Sequence, residues 1–140
     1  MKAPAVTVER LQALLHEYHL DMDGHIVLEA LGRRSAKARL RVDRKHLRPG
    51  DTVSGPTLMA LADAALYAAV LGEIGLVPLA VTTSLNINFL NKPTHRDVLC
   101  DVRLLKVGKR LAVGEVSIYS EGSEDLVAHV TATYSIPPAR

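Results

Sequence analysis

The chain has 140 residues, 48% hydrophobic and 23% charged, with a formal net charge of +2. That length suits one domain with a single core hiding roughly two-thirds of the unfolded surface, and the composition excludes the polar, charge-rich character of a disordered chain. With no Trp and one Phe the core must be aliphatic, and with one cysteine, Cys100, no internal disulfide can form, which suits a cytoplasmic location.

Thr7 to His19 sets Val8, Leu11, Leu14, Leu15 and Tyr18 at helical spacing against Glu9, Arg10, Gln12 and Glu17. This predicts an amphipathic helix, residues 1–20 packing on the rest of a single domain that spans residues 1–140. The charges within it argue against a signal peptide, and no uninterrupted apolar run of about 18 residues exists, so neither a membrane span nor a membrane partner is expected. His16 and His19 lie three apart with no acidic or Cys ligand in register. They are read as a surface pair, and no metal is expected.

Leu20 to Gly24 carries turn chemistry, and His25 to Gly32 reads as a short strand. Arg34 to Val42 alternates Ala36, Ala38, Leu40 and Val42 against Lys37, Arg39 and Arg41, with a hairpin turn at Gly32-Arg33. Positive charge concentrates here: Arg33, Arg34, Lys37, Arg39, Arg41, Arg44, Lys45 and Arg48 are opposed only by Asp43. Such a cluster is either a solvated strand face or a dock for an anionic ligand such as a phosphate. It lacks interleaved aromatics on which bases could stack, so no nucleic-acid partner is expected. Asp43 to Val53 reads as a loop.

A helix begins at Ser54 or Gly55, with Pro56 near its first position, where a missing N–H does no harm. Its body, Leu58 to Leu71, has no polar face and must be enclosed. Gly72 or Gly75 can end it, and Pro78 stops it. Asp63 is the one acid read in this helix. Its carboxylate, placed among Leu, Met and Ala, is costly unless paired, whereas charges elsewhere occupy positions open to water.

Val81 to Leu90 predicts a strand with Val81, Thr83, Leu85, Ile87 and Phe89 on one face and Thr82, Ser84, Asn86 and Asn88 on the other. Val98 to Val107 and Leu111 to Ser120 follow, joined at Gly108-Lys109, and Leu126 to Ile136 is the last. Short connections predict these four as an antiparallel meander. The expected architecture is α+β, with a six-stranded antiparallel sheet wrapped around the long helix.

Gly55 to Asp63, the strand Val81-Thr82-Thr83-Ser84-Leu85-Asn86-Ile87-Asn88-Phe89-Leu90 and the hairpin Val107-Gly108-Lys109-Arg110-Leu111, in that order, resemble the hotdog-fold acyl-CoA thioesterases of the PaaI-like, phenylacetate-pathway kind. The resemblance covers most of the chain beyond its N-terminal helix. It implies self-association as a homodimer or a dimer of dimers, and hydrolysis of an acyl-CoA thioester to free acid and CoA. No cofactor is implied, because coenzyme A is part of the substrate.

By the same resemblance, Asp63 is the nucleophile or general base and the Gly55 backbone N–H polarises the carbonyl, the two coming from opposite subunits. The physics agrees: a helix N-terminus stabilises an oxyanion, one donor being worth roughly 3 to 4 kcal/mol. Helical rise puts Gly55 and Asp63 of one chain roughly 12 Å apart, too far to share one carbonyl. Ser54-Gly55-Pro56 stands where many members have His-Gly-Gly. Ser54 can donate a hydrogen bond but is no base at neutral pH, and Pro56 removes an N–H. Arg48 stands where relatives carry an Asn or Gln that orients the carbonyl or water.

Pro56, Tyr67, Asn88, Leu90 and Asn91 are candidates for substrate binding. Tyr67, one turn after Asp63, either orients water or an acyl group or is a core aromatic. Arg103, Lys106, Lys109 and Arg110 are candidates for the CoA phosphates or form a solvated basic hairpin. Two other functions stay open. One is a non-catalytic acyl-CoA binding or sensing protein, for which Ser54 and Pro56 leave room. The other is an enoyl-thioester hydratase or dehydratase, which needs a His opposite the acid and finds only His46, unsuitably spaced, in the preceding loop. His46, His95 and His129 are read as surface or loop residues.

Overall fold

The structure is a computed structural model and describes residues 4–138. Helix α1 (Val8–Glu17) is capped by Thr7 and buries Leu11, Leu14 and Leu15. The Gln12 side chain donates to the Ile26 carbonyl and accepts the Leu28 N–H, tying the helix to β1 (Ile26–Gly32). β1 forms the expected hairpin with β2 (Ser35–Leu40). The segment Asp43 to Val53 is more ordered than a loop. It holds a 3-10 turn, Arg44–His46, and a ribbon of β3 (Leu47–Arg48) with β4 (Thr52–Val53).

The central helix α2 runs Gly55–Ile74, with Ser54 as N-cap and Gly75 at φ 95° ending it. It extends far enough to include Glu73, so Asp63 is not its only acid. Glu73 sits in the last turn and accepts the Arg34 N–H. Helix α2 is long and apolar enough to cross a membrane by length and composition, and here that apolar surface is the core around which the sheet curls. Close wrapping depends on small residues. A Cβ on Gly114 would meet Leu66 Cδ1 at 2.5 Å and Leu104 Cδ2 at 3.0 Å.

The sheet has six strands in the order β1-β2-β6-β7-β8-β5, where β6 is Val98–Val107, β7 Leu111–Ser120, β8 Leu126–Ser135 and β5 Val81–Phe89. This is the hotdog fold. Only β6, β7 and β8 make the expected meander; β5 pairs with β8, at the far edge. The link between β5 and β6, residues 90–97, can reach roughly 26 Å when extended. That exceeds the roughly 14 Å across three strand spacings, so periodicity and loop length could not decide the pairing.

The expected alternation in β5 also fails at its start. A bulge between Thr82 and Ser84 adds an unpaired residue, and the inner face becomes Thr82, Leu85 and Ile87 rather than the odd-numbered run.

Candidate active site

Two cavities open at opposite ends of β5. The first, about 510 Å³, is reached by Asp63, Tyr67, Val81, Thr82 and Tyr134. The second, about 690 Å³, is bounded by Arg48, Gly55, Pro56, Phe89, Leu90 and Asn91. Within one chain the acid and the helix N-terminus therefore belong to different hollows, as the helical rise requires.

At the first cavity the bulge turns Thr82 inward, and strand register sets it opposite Tyr134. Both hydroxyls converge on one carboxylate oxygen. Thr82 Oγ1 donates to Asp63 Oδ1 at 2.6 Å, and the Tyr134 hydroxyl lies 2.6 Å from Oδ1 and 2.9 Å from the Asp63 carbonyl. Burial first, and the neighbouring carboxylate second, push the Tyr134 hydroxyl far above the ordinary tyrosine range, so it stays a protonated donor. Among the described residues no hydrogen bond involves Oδ2. Tyr67 shares the cavity, but its hydroxyl donates to the Pro78 carbonyl at 3.0 Å.

Sequence reasoning missed Thr82 and Tyr134. Each sits in a strand whose polar and apolar residues alternate, and only the bulge and the pairing show that they meet. It also missed His19, which lines the same cavity.

At the second cavity Gly55 occupies the first helical position, where the N–H has no intrahelical acceptor. Ser54 Oγ accepts the Thr57 N–H at 3.3 Å and lies 2.7 Å from Thr57 Oγ1, so its hydroxyl works as a helix cap. Arg48, Pro56, Leu90 and Asn91 are exposed around this hollow, and Asn91 Nδ2 donates to the Leu126 carbonyl. Asn88 is exposed on the edge strand and lines neither cavity.

Of the four basic candidates, Arg103 pairs with Glu115 at 3.4 Å, while Lys106, Lys109 and Arg110 are exposed. The hairpin bearing Lys109 and Arg110 lies at the same end of the sheet as Val81, across β8 from it, because Leu111 and Val81 both pair with Ser135. It therefore shares the sheet end of the first cavity.

The larger basic cluster is partly neutralised. Arg39 binds Glu121, Glu29 and Asp97, which hold its guanidinium charged well above the ordinary range. Lys37 and Lys45 lie near Asp101 and Asp23.

Two further expectations are corrected. His46 is buried at 2% exposure, its Nδ1 accepting the Asp43 N–H while its ring stacks edge-on against His25 at 4.7 Å. Burial, then the charges of His25 and Lys45, lower its pKa. Asp21 is also buried and is the acidic partner that His16 was expected to lack, at 2.9 Å. Desolvation pushes the Cys100 thiol up to about 12, which excludes it as a nucleophile at neutral pH. Among the described residues no group of three or more His, Cys, Asp or Glu could hold a metal ion.

Residues 50–127 match the family model described as the thioesterase superfamily. The chain belongs to that superfamily, in its PaaI-like hotdog form. It is similar to a protein from Silicibacter sp. TM1040, provisionally assigned as a thioesterase, with 45% identity over 96% of this chain and 94% of that one, at a TM-score of 0.88. It is similar to a point mutant of the phenylacetic acid degradation protein PaaI of Thermus thermophilus, with 26% identity over 83% and 97% and a TM-score of 0.72. Thioesterase HI1161 of Haemophilus influenzae shares the fold at 22% identity over 98% and 96%, TM-score 0.84. No curated protein matches the sequence. The matched residues of this thioesterase-superfamily chain include both the Gly55 helix start and Asp63, and they exclude α1.

Proposed function

We propose that the protein hydrolyses acyl-CoA thioesters, with Asp63 as general base or nucleophile and the Gly55 N–H of the partner subunit as carbonyl polariser. The observation that carries this reading is the Asp63 carboxylate. One oxygen is fixed by two hydroxyls, and the residue lines a largely apolar cavity with its other oxygen unbonded among the described residues. A carboxylate so fixed loses little freedom on meeting a substrate.

Self-association supplies the missing donor. β5 is an edge strand carrying exposed Val81 and Phe89, and such an edge offers a row of unpaired N–H and C=O groups. Two copies paired antiparallel along it, about a two-fold axis, set the Val81 end of one against the Phe89 end of the other. The Asp63 cavity then adjoins the Gly55 cavity of the partner. Lys109 and Arg110 supply exposed positive charge for the CoA phosphates.

In the general-base route, Asp63 takes a proton from water as the water oxygen bonds to the acyl carbon. The carbonyl oxygen becomes an oxyanion that accepts the Gly55 N–H, and its collapse breaks the C–S bond and releases the CoA thiolate. In the nucleophilic route, a carboxylate oxygen bonds to the acyl carbon, the thiolate leaves, and water cleaves the resulting anhydride.

The helix-cap role of Ser54 and the missing N–H of Pro56 favour one other reading, a protein that binds acyl-CoA without turning it over. Thiol release from a panel of acyl-CoA esters separates the two. Turnover is expected, whereas tight binding with no thiol released over hours favours the binder. Water addition to crotonyl-CoA without thiol release would point to the hydratase instead.

A further inference from the structure

We infer that the cavity beside Asp63 is a subsite for uncharged, apolar acyl groups and that the segment just beyond α1 forms the wall that limits acyl size. The inference rests on the thioesterase reading above. Helix α2 presents Ala60 and Ala64 on the face that carries Asp63 and Tyr67, and these short side chains vacate the space. Tyr18 and Leu20, just beyond α1, close it from one side and Leu79 from another. The Tyr67 hydroxyl is engaged by Pro78, so its ring serves as wall and pins the segment bearing Leu79.

Three large apolar side chains on this rim are exposed in the single chain: Tyr18 at 52%, Leu20 at 42% and Leu79 at 72%. An acyl chain seated there would cover them. A volume of about 510 Å³ lies within the range of roughly 300–1,000 Å³ usual for small-molecule sites.

Charge decides the substrate class. The lining contains no Lys or Arg, and its basic group is His19. An acyl group with a second carboxylate would lose its hydration without a fixed cation to replace it, in a hollow already holding Asp63. Acyl groups of monocarboxylic acids fit, and those of dicarboxylic acids do not. Of the wall residues, Tyr18 and Leu20 lie outside residues 50–127 that match the family model, and Leu79 lies within them.

The test is kcat/KM for thiol release from acetyl-, butyryl-, hexanoyl-, decanoyl- and succinyl-CoA, using the full chain and its Tyr18→Ala and Ala60→Leu variants. For the unaltered chain, kcat/KM should rise about fourfold per added methylene, from ~0.8 kcal/mol per buried CH₂, until the wall is met. Succinyl-CoA should fall at least tenfold below butyryl-CoA, which has the same number of acyl carbons. Tyr18→Ala should move the optimum to longer chains, and Ala60→Leu should lower the hexanoyl-to-acetyl ratio at least tenfold. If Ala60→Leu does not fold, Leu79→Ser at the exposed rim must weaken the preference for longer chains. A flat length profile, succinyl-CoA turned over like butyryl-CoA, or an optimum unmoved by these variants overturns the inference. The unaltered chain separates the two levels: no thiol release from any of these esters removes the thioesterase reading itself, whereas release with a profile that the variants leave unmoved removes only the acyl subsite.

Discussion

At the Val81 end of β5 the cavity holds a carboxylate fixed by two hydroxyls. At the Phe89 end a hollow of similar size holds the start of a helix, with Gly55 N–H at its rim and no carboxylate in its lining. One end has a carboxylate and no helix N-terminus; the other has the helix N-terminus and no carboxylate. Under the function proposed above, each is half of an acyl-transfer site, and one helix separates the halves by two turns. The difference teaches that, in the proposed mechanism, the chemistry depends on how two copies of β5 meet.

The largest effect should come from emptying the first half. Asp63→Asn keeps the shape and the hydrogen-bonding hydroxyls and should lower kcat/KM by roughly 100-fold or more, measured by thiol release with size-exclusion chromatography confirming the fold. Wild-type-like turnover would remove Asp63 from the mechanism.

Next is the clamp. Tyr134→Phe or Thr82→Val should lower kcat by about tenfold or more with KM little changed, because the carboxylate is then misaimed rather than removed. Thr82→Ser, which keeps the hydroxyl, should recover most of the rate. Equal losses in Thr82→Ser and Thr82→Val would show that the methyl group rather than the hydroxyl matters.

Smaller effects belong to the frame that holds both cavities. Gly114→Val forces atoms into the buried Leu66 and Leu104 and should cost about 1–3 kcal/mol in denaturant unfolding. His46 is buried with its pKa lowered by desolvation, so the unfolded chain binds the proton more tightly than the folded one. Stability should therefore be full above about pH 6.5, the ordinary histidine value, and decline as pH falls below it. Thermal unfolding between pH 7 and pH 5 reads this, and His46→Asn should flatten the decline.

Much of this was legible in the sequence for local reasons. Ser54, Pro56 and Gly75 punctuate α2, and an all-apolar helix had to be enclosed. Alternation gave β2, β6, β7 and β8, and a lone acid among Leu and Ala marked Asp63. What stayed hidden was nonlocal. Nothing in Val81 to Phe89 says that it pairs with β8, and a one-residue bulge reverses the direction of Thr82. Tyr134 reads as one more core residue until register sets it opposite Thr82. His46 looked like a loop residue because its burial depends on His25 and the packed start of α2.

The most direct test of the shared site is complementation between subunits. Gly55→Asp places a carboxylate where the oxyanion would form. The variant should fold, because the nearest atoms to a Cβ there belong to the Phe89 ring, at 3.2 Å, the far end of a side chain that is 55% exposed in the single chain. Asp63→Asn and Gly55→Asp should each be nearly inactive alone. Unfolded and refolded together in equal amounts, they should recover about a quarter of the wild-type rate, since half of randomly paired dimers carry one intact site. No recovery from a mixture shown to contain heterodimers would contradict a site built from two subunits.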